Sequence, residues 1–316
     1  MSSYLLRRLA SFIPVLVFIS ILVFSLLHLA PGDPVDMIVG EDRPGPDVIA
    51  AIRAQYGFDD PLPVQYLRWA SHAAVGDLGY SYRSRQPVTH LIFERLPATL
   101  ELSVLSILLG LAIALPLGIV AALRRGTWID AAASVIAALG ISMPAFWIGI
   151  LLIYLFALAL RWLPPSGYVS PAEDLVANLR LMVLPVITLG VGYGAMLTRY
   201  VRASMLECLG LDFVRTARAK GLAESRVVVG HVLRSALIPI VTVIGIETGR
   251  LLGGAVLTET IFALPGMGRL AVDAILSRDF PTMQGAVLFM ALGVLLANLV
   301  VDLLYGVLDP RMSGAK

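Results

Sequence analysis

The segment PATLELSVLSILLGLAIALPLGIVAAL, residues 97–123, contains a single charged side chain, that of Glu101. It is longer than the roughly 20 apolar residues with which a helix crosses a bilayer. Five further segments are comparably apolar: 9–30, 131–160, 181–201, 236–257 and 284–306. Lipid cannot satisfy backbone polar groups, so segments of this length are expected to be helical. We therefore predict an all-α integral membrane protein with six transmembrane helices.

The composition of the whole chain agrees with a membrane protein. Of its 316 residues, 58% are hydrophobic and 15% are charged, and the mean hydropathy is +0.85. Soluble domains carry about 25% charged residues, so a soluble enzyme of this size could not cover its surface with the charges present. The one cysteine, Cys208, excludes an intrachain disulfide and a cysteine-based metal cluster.

The sequence lacks the motifs of common hydrolases and of ATP-binding loops. A phosphate-binding loop requires Gly-Lys-Ser/Thr, and neither Lys220 nor Lys316 follows a glycine. No Gly-x-Ser-x-Gly or His-Glu-x-x-His occurs, and of the histidines only His28 falls in a predicted membrane helix. We therefore expect neither hydrolytic catalysis nor ATP binding by this chain.

The distribution of arginine and lysine predicts the orientation. Twelve basic residues fall in the 58 positions of one set of connections, and ten fall in the 112 positions of the other. The first set is 1–8, 124–129, 202–235 and 307–316; the second is 31–96, 161–180 and 258–283. Because basic residues concentrate in cytoplasmic loops, both termini are predicted to be cytoplasmic.

This orientation predicts a domain layout. It comprises an N-terminal transmembrane helix over 1–30, an extracytoplasmic segment over 31–96, a five-helix transmembrane domain over 97–306 and a cytoplasmic tail over 307–316. Within 31–96, Pro46 is typical of a helix start and Gly57 of a helix end. The extracytoplasmic segment is therefore expected to be ordered, although it is too short for a large independent domain.

The longest predicted cytoplasmic connection, 202–235, contains the sequence LDFVRTARAKGL at 211–222. This stretch predicts a short helix that ends at Gly221, and 224–234 predicts a second helix. The small alanines of the first helix could fit a groove on a partner while the flanking arginines pair with its carboxylates. The alternative is a solvated amphipathic connector whose charge helps to set the topology. The residues alone leave both open.

Six short motifs are spread along the whole chain. Ala217-x-x-x-Gly221 is followed by His231-x-Leu233 and Pro239. Five others occur in order: Leu29-Ala-Pro-Gly-Asp-Pro34, Gly76-Asp-Leu-Gly79, Leu96-Pro-Ala-Thr-Leu-Glu101-Leu, Leu257-Thr-Glu-Thr-Ile-Phe262-x-x-Pro-Gly-Met-Gly268 and Asp309-Pro-Arg311. With these motifs the chain resembles ABC importer permeases of the dipeptide, oligopeptide and nickel branch, in particular the first permease subunit of a dipeptide importer.

The resemblance implies the type I ABC importer permease fold and a function as the membrane subunit of an ATP-driven importer of dipeptides or short oligopeptides. It places the coupling to the ATPase in the loop at about 202–235. The residues it assigns to coupling are Arg215, Ala217, Arg218, Ala219, Gly221 and Leu222. Other importers commonly have a glutamate at the start of this motif, where this chain has Arg215.

The resemblance also implies the partners. They are a second homologous permease subunit, two cytoplasmic ATPase domains that bind ATP and Mg, an extracytoplasmic peptide-binding protein and the lipid bilayer. A nucleic-acid partner is not expected. The chain itself is expected to be a multi-pass translocation subunit of a prokaryotic inner membrane, not an enzyme, and to hold no cofactor or metal. A nickel-chelate or glutathione importer permease is the alternative within the branch, because selectivity resides largely in the binding protein.

The fifth apolar segment, 236–257, combines a face of small residues with two charges. Gly245, Gly249 and Gly253 recur every four positions, which permits close helix packing. Glu247 and Arg250 are three positions apart and can meet. Inserting both charges costs about 5 to 7 kcal/mol, against a gain of about 3 to 7 kcal/mol from the leucine, isoleucine and valine residues of the segment. The helix is therefore expected inside the bundle, where the two charges either form a structural ion pair or line the pore.

Glu259, at the outer end of that segment, is a further gate candidate through the resemblance of Thr-Glu-Thr-Ile-Phe to the family motif. An interfacial or capping role is its alternative. A function from another class, ion-coupled secondary transport, would need a proton or sodium site deep in the membrane. Only Glu247 and Arg250 lie deep enough to form one.

The orientation can be tested by cysteine labelling. With Cys208 replaced, a single cysteine at Thr127 or Ser225 should be unreachable by impermeant thiol reagents added to intact cells, because both sites lie on the basic-rich connections. Labelling after permeabilisation controls for thiol reactivity. Modification in intact cells would contradict the cytoplasmic assignment of these loops.

Overall fold

The structure is a computed structural model that describes residues 2–29, 35, 39 and 45–308. Side chains are described over 9–25, 35, 39, 45–54, 57–249, 251 and 255–303. The helices are α1 (Ser2–Leu29), α2 (Pro46–Tyr56), α3 (Leu62–Ala74), α4 (Val88–Leu123), α5 (Trp128–Ser142), α6 (Ala145–Leu152), α7 (Leu175–Leu209), α8 (Asp212–Ala219), α9 (Glu224–Val227), α10 (Leu233–Ile261), α11 (Met267–Leu276) and α12 (Phe280–Leu308). The π-helical turns Ile153–Ala159 and Val228–Val232 continue α6 and join α9 to α10. The predicted all-α fold is confirmed.

Length and apolar composition identify the candidates for membrane spans. Within the described residues four helical stretches qualify: Val88–Leu123, Leu175–Leu209, Glu224–Gly249 and Phe280–Leu303. α5 and α6 supply a fifth if they are counted as one span. The apolar part of α1 with described side chains, Leu9–Ser25, is shorter than these. The count of six spans and the cytoplasmic termini stay predictions.

The third predicted span, 131–160, is broken rather than straight. Its two halves, Trp128–Ser142 and Ala145–Ala159, lie at 94° to each other. Met143 has extended backbone angles (φ −84°, ψ 124°), the conformation that a following proline favours, and Pro144 has no N–H with which to continue α5. The sequence predicts a kink or a helix end at each of Pro116, Pro144 and Pro239. The helix ends before Pro144, whereas α4 and α10 continue past Pro116 and Pro239.

The first compact unit comprises residues 1–97 and 265–293, of which the structure describes 2–29, 35, 39, 45–97 and 265–293. α2 begins at Pro46 and ends before Gly57, whose φ of +66° is left-handed, in agreement with the sequence signals. α1 contacts α3 through a 2.8 Å hydrogen bond between the hydroxyls of Ser20 and Tyr66. The main core of this unit joins the start of α4 to α11 and α12: Val88, Ile92, Met267, Leu270, Ala271 and Ala286.

The second compact unit comprises residues 98–264 and 294–316, of which the structure describes those up to 308. α7 lies at its centre, with buried residues along its whole length. α4 and α7 come into backbone contact, because a Cβ added to Gly194 would lie 3.0 Å from the carbonyl oxygen of Gly110. Helices in lipid associate through such close packing rather than through a hydrophobic driving force.

Gly245 and Gly249 of α10 face α12 in the same unit. A Cβ at Gly245 would lie 2.8 Å from Val301, and one at Gly249 would lie 3.1 Å from Val294. The surroundings of Gly253 lie outside the described side chains. The packing role of the three glycines as one face stays a prediction.

The close approach of α4 and α7 predicts that Gly194→Ala destabilises the protein and lowers its thermal unfolding midpoint. The new methyl would meet the Gly110 backbone, so we expect overpacking of about 1 to 3 kcal/mol, only partly offset by the better helix propensity of alanine, about 1 kcal/mol. The measurement is the thermal unfolding midpoint of the purified assembly in detergent.

Gly192→Ala is the matched control for this prediction. It lies on the same helix, and its nearest neighbour to an added Cβ, the Gly140 carbonyl oxygen, is 3.9 Å away. We expect Gly192→Ala to leave the midpoint unchanged or to raise it. Equal midpoints for the two variants would show that the α4–α7 contact is not tight.

Candidate functional site

The predicted coupling segment lies at the junction of α7 and α10. α7 ends at Leu209, α8 begins at Asp212 after the extended residue Leu211, and α9 follows a turn at Gly221. The second predicted helix, 224–234, does not stop at its end. It continues through a π-helical turn into α10, so the coupling segment connects two membrane helices directly.

α8 is held to its own chain by one face. Val214 is fully buried and Ala217 is 7% exposed, and both belong to the core of the second unit together with Val227. Leu222 is half-buried against the same core. The side chain of Ala217, predicted to fit a partner's groove, therefore points into this chain, and its part in coupling stays a prediction.

The opposite face of α8 is exposed. Arg215 and Ala219 lie on it, Arg218 is exposed at its edge, and Lys220 and Gly221, which follow the helix, are exposed as well. The Arg218 guanidinium donates to both carboxylate oxygens of Glu224, at 3.0 and 2.5 Å, across the turn. Arg215 lies 3.6 Å from Asp212 and its side chain is 79% exposed. Arg215 is thus the more accessible of the two predicted coupling arginines.

Position 221 favours glycine because of its backbone conformation, and not because a side chain would lack space. Its φ is +76°, and a Cβ added there would meet nothing within 4 Å. A side chain at this position would project away from the described chain. Any functional effect of a substitution that tolerates this φ would therefore come from contacts outside the chain.

Glu247 lines a cavity in the second unit. Glu247 itself is 8% exposed. The cavity has a volume of about 270 Å³ and is formed by α5, α6, α7 and α10; its lining includes Met143, Ile148, Thr188, Tyr193 and Leu251. Among the described residues that line it, Glu247 carries the one formal charge. The side chain of Arg250 lies outside the described residues, so the predicted ion pair stays a prediction.

Glu259 lies in the last turn of α10 and is fully buried. Its carboxylate accepts a 2.6 Å hydrogen bond from the hydroxyl of Thr99 on α4. The carboxylate is therefore enclosed by the protein itself. The role of Glu259 as a gate stays a prediction. Its hydrogen bond to Thr99 connects α10 to α4.

The loop 161–174 covers this end of the second unit. The N–H of Gly167 donates to the Phe262 carbonyl at 3.0 Å, and the Tyr168 hydroxyl donates to Glu101 at 2.9 Å. Burial, together with the hydrogen bond to Glu101, raises the pKa of Tyr168 to about 12. Tyr168 is therefore a neutral donor throughout the physiological pH range. Glu101 lies well inside α4, because that helix begins at Val88.

Sequence reasoning misses an ion pair between α5 and α7. Arg202 donates to both oxygens of Asp130, at 2.6 and 2.8 Å, and the Gly126 N–H donates to the same carboxylate at 3.0 Å. The Asp130 side chain is 9% exposed. The signal available in the sequence is that both charges fall at the edges of apolar segments. Asp130 comes directly after the connection 124–129 and Arg202 begins the connection 202–235, and both connections are assigned to one side of the membrane.

The family of the chain follows from its sequence together with this fold. A model described as binding-protein-dependent transport system inner membrane component matches residues 114–314, and the N-terminal model of the same system matches residues 1–103. The chain belongs to this family of ABC importer permeases. The predicted resemblance is confirmed, and the permease is a transport component that spans a membrane.

Relatives of the permease match over nearly their whole length. It is 42% identical over 339 residues to the dipeptide transport system permease protein DppB of Escherichia coli, with 100% of each chain covered. It is also 42% identical over 332 residues to the di/tripeptide transport system permease protein DppB of Pseudomonas aeruginosa, with 99% of each covered.

A solved structure has a similar fold. It contains the MetNI methionine ABC transporter in an inward-facing conformation, and the match has a TM-score of 0.58 at 18% identity, covering 69% of the permease and 96% of that chain. This likeness concerns the fold alone. It confirms the predicted importer permease fold.

The exposed turn at Gly221 generates a prediction about coupling. Gly221→Asn and Gly221→Asp both place a side chain of similar size outside the chain, and both residue types tolerate a positive φ better than others. If the turn contacts a partner ATPase, we expect insertion into the membrane to persist and uptake to fall by about tenfold or more. Uptake and the amount of permease in the membrane are measured together.

Gly126→Asn is the control for the Gly221 variants. Gly126 has the same φ of +76° and nothing within 4 Å of an added Cβ, but it lies in the turn between α4 and α5. We expect normal uptake in this variant. Equal uptake in Gly126→Asn and Gly221→Asn would indicate that the turn at Gly221 is only a connector.

Proposed function

We propose that this permease is the peptide-translocating subunit of an ATP-driven importer, and that its substrates are dipeptides or short oligopeptides. The observation that carries the proposal is the match at 42% identity to relatives named as dipeptide and di/tripeptide permeases, which extends over the full length of the chains. Similarity of this extent includes the loops and the coupling segment as well as the apolar helices.

The permease works with separate partners in this proposal. The importer contains a second homologous permease subunit, two cytoplasmic ATPase domains and an extracytoplasmic binding protein. The ATPase domains bind ATP and Mg and carry out hydrolysis, since the permease has no Gly-Lys-Ser/Thr loop. The permease itself holds no cofactor and is not an enzyme.

Coupling proceeds through α8. Because Val214 and Ala217 fix α8 to the core that also contains α7 and α10, a displacement of α8 moves these membrane helices with it. α7 and α10 contribute Thr188 and Glu247 to the cavity of about 270 Å³. Closure of the two ATPase domains on ATP would draw the coupling segments together, open the cavity toward the outside and admit the peptide. Hydrolysis would restore the inward-facing state.

The ion pair between Asp130 and Arg202 extends this connection to α5. Its bidentate geometry resists rotation of one helix against the other more strongly than a single hydrogen bond would. α5 contributes Gly140 and Ile141 to the same cavity. Movement of the coupling segment is thereby transmitted to helices on three sides of the cavity.

This mechanism requires the orientation predicted from the distribution of arginine and lysine. The permease crosses the inner membrane of a prokaryotic cell with six spans and both termini in the cytoplasm, which places 202–235 beside the ATPase domains. The segment 31–96 then lies outside, where the binding protein delivers substrate.

A nickel-chelate or glutathione importer is the alternative within the same branch. Ion-coupled secondary transport finds no support in the family to which the chain belongs.

The proposal is tested by transport in a defined system. The assembled complex is reconstituted in vesicles with its cognate binding protein, and uptake of labelled dipeptide is measured with and without ATP. We expect uptake that requires both ATP and the binding protein. Uptake of nickel chelates or glutathione in place of dipeptides would overturn the peptide assignment.

The cavity is tested in the same system with Glu247→Gln. Because Glu247 lines the cavity, we expect the variant to assemble with the partner permease and to import dipeptides at least about tenfold more slowly. The control is Glu173→Gln, which makes the same change at an exposed position of the loop 161–174. Loss of assembly in Glu247→Gln, with recovery in the double variant Glu247→Gln/Arg250→Gln, would instead identify a structural ion pair.

A further inference from the structure

The loop 79–87 of the first unit is closed by hydrogen bonds of its own backbone. The N–H of Ser81 donates to the Gln86 carbonyl at 2.9 Å, and the N–H of Arg85 donates to the Ser81 carbonyl at 3.0 Å. Tyr80 pairs with Pro87 in an antiparallel bridge. The tip of the loop is therefore a short, closed turn.

A buried carboxylate ties this loop to the start of α12. Asp279 is 5% exposed, and its Oδ2 accepts hydrogen bonds from the hydroxyls of Ser81 at 2.5 Å and Thr282 at 2.8 Å. Its Oδ1 accepts the N–H of Tyr82 at 3.0 Å. Hydrogen bonds to a charged acceptor are the stronger ones, so the loop is fixed to the helix that supports it.

Two arginines project from the tip. Arg83 and Arg85 are exposed, and Arg85 has a φ of +56°, which is uncommon for a residue other than glycine. Backbone strain of this kind persists where the surroundings fix it, and it is concentrated at functional sites. The internal hydrogen bonds of the loop would form equally well with glycine at position 85, so the fold itself has no need of arginine there.

A cavity of about 520 Å³ lies beside the loop within the same unit. Its lining is rich in hydrogen-bond donors and aromatic rings, and includes Arg68, Trp69, Tyr80, Tyr82, Arg85 and Gln284. Gln284 is 4% exposed, and its Nε2 has no hydrogen-bond partner among the described residues. A buried donor without an acceptor is costly, and an acceptor supplied from outside would remove this cost.

The carboxylate in the cavity lining is already engaged. Asp77 accepts the N–H of Gly79 at 3.0 Å and lies 3.8 Å from His72. Arg68 is paired with Asp60 at 2.6 Å, whereas Arg85 at the mouth has no ion pair with a described residue. The site therefore offers charge and donors to a ligand that brings carboxylates.

We propose that the loop 79–87 and the adjoining cavity form the docking site for an acidic surface segment of the extracytoplasmic binding protein. Arg85 supplies the attracting charge and Gln284 a buried donor. This inference rests on the proposed function, which places residues 31–96 on the side where a binding protein arrives. A rigid loop loses little conformational freedom on binding, and an exposed charge at the rim accelerates the encounter.

The test measures binding directly, without transport. The assembled complex is held in nanodiscs of zwitterionic lipid, and the affinity of the purified cognate binding protein is measured at low and moderate salt. Arg85→Gly removes the charge while keeping a residue suited to the φ of +56°. We expect about tenfold weaker binding, mainly through slower association, and a smaller dependence on salt.

Arg278→Gly is the matched control. Arg278 is also exposed and has a φ of +54°, but it does not line the cavity. We expect it to bind as the wild-type complex does. Gln284→Leu should also weaken binding while leaving co-purification with the ATPase subunits intact.

Equal binding by the Arg85→Gly, Arg278→Gly and wild-type complexes would overturn the docking site. So would an effect of Arg85→Gly that follows the content of anionic lipid in the nanodisc, since the loop would then bind phosphate headgroups. A wild-type complex that binds no binding protein at all would overturn the proposed function itself. The two failures are therefore distinguishable.

Discussion

The backbone contact between α4 and α7 is the constraint on which the second unit depends. Apolar side chains gain little from leaving lipid for a protein interior, so membrane helices stay together only where their surfaces fit closely. Gly110 and Gly194 allow that fit, because a methyl on either would collide with the opposing helix. α7, once placed, presents buried surface along its length to α5 and α10.

The mechanical role proposed for the segment 202–235 depends on this central helix. Because α8 follows α7 directly and is buried at Val214 and Ala217, it is part of the same packed body and not a free loop. The short connection at its other end leads straight into α10. No flexible linker separates α8 from α7 and α10, so a displacement of α8 would move both helices. The cavity that contains Glu247 lies between these helices.

Local features of the structure could be read from the sequence. The left-handed end of α2 at Gly57 and the break before Pro144 depend on the chemistry of one or two residues, and both follow the expected pattern. The five apolar segments after the first could be located as helices because the length and composition of an apolar run are also local properties. The motifs that identify an importer permease lie in order along the chain, and this is why the family could be predicted as well.

By itself the sequence determined the helical membrane class and the family, since both depend on residues close together in the chain. Only the tertiary structure decided which charges meet. Asp130 and Arg202 are 72 residues apart, and Thr99 and Glu259 are 160 apart. It also decided that Ala217 faces inward while Arg215 faces out. The reason is physical: a buried carboxylate must have a partner, but which distant donor supplies it depends on how the helices pack.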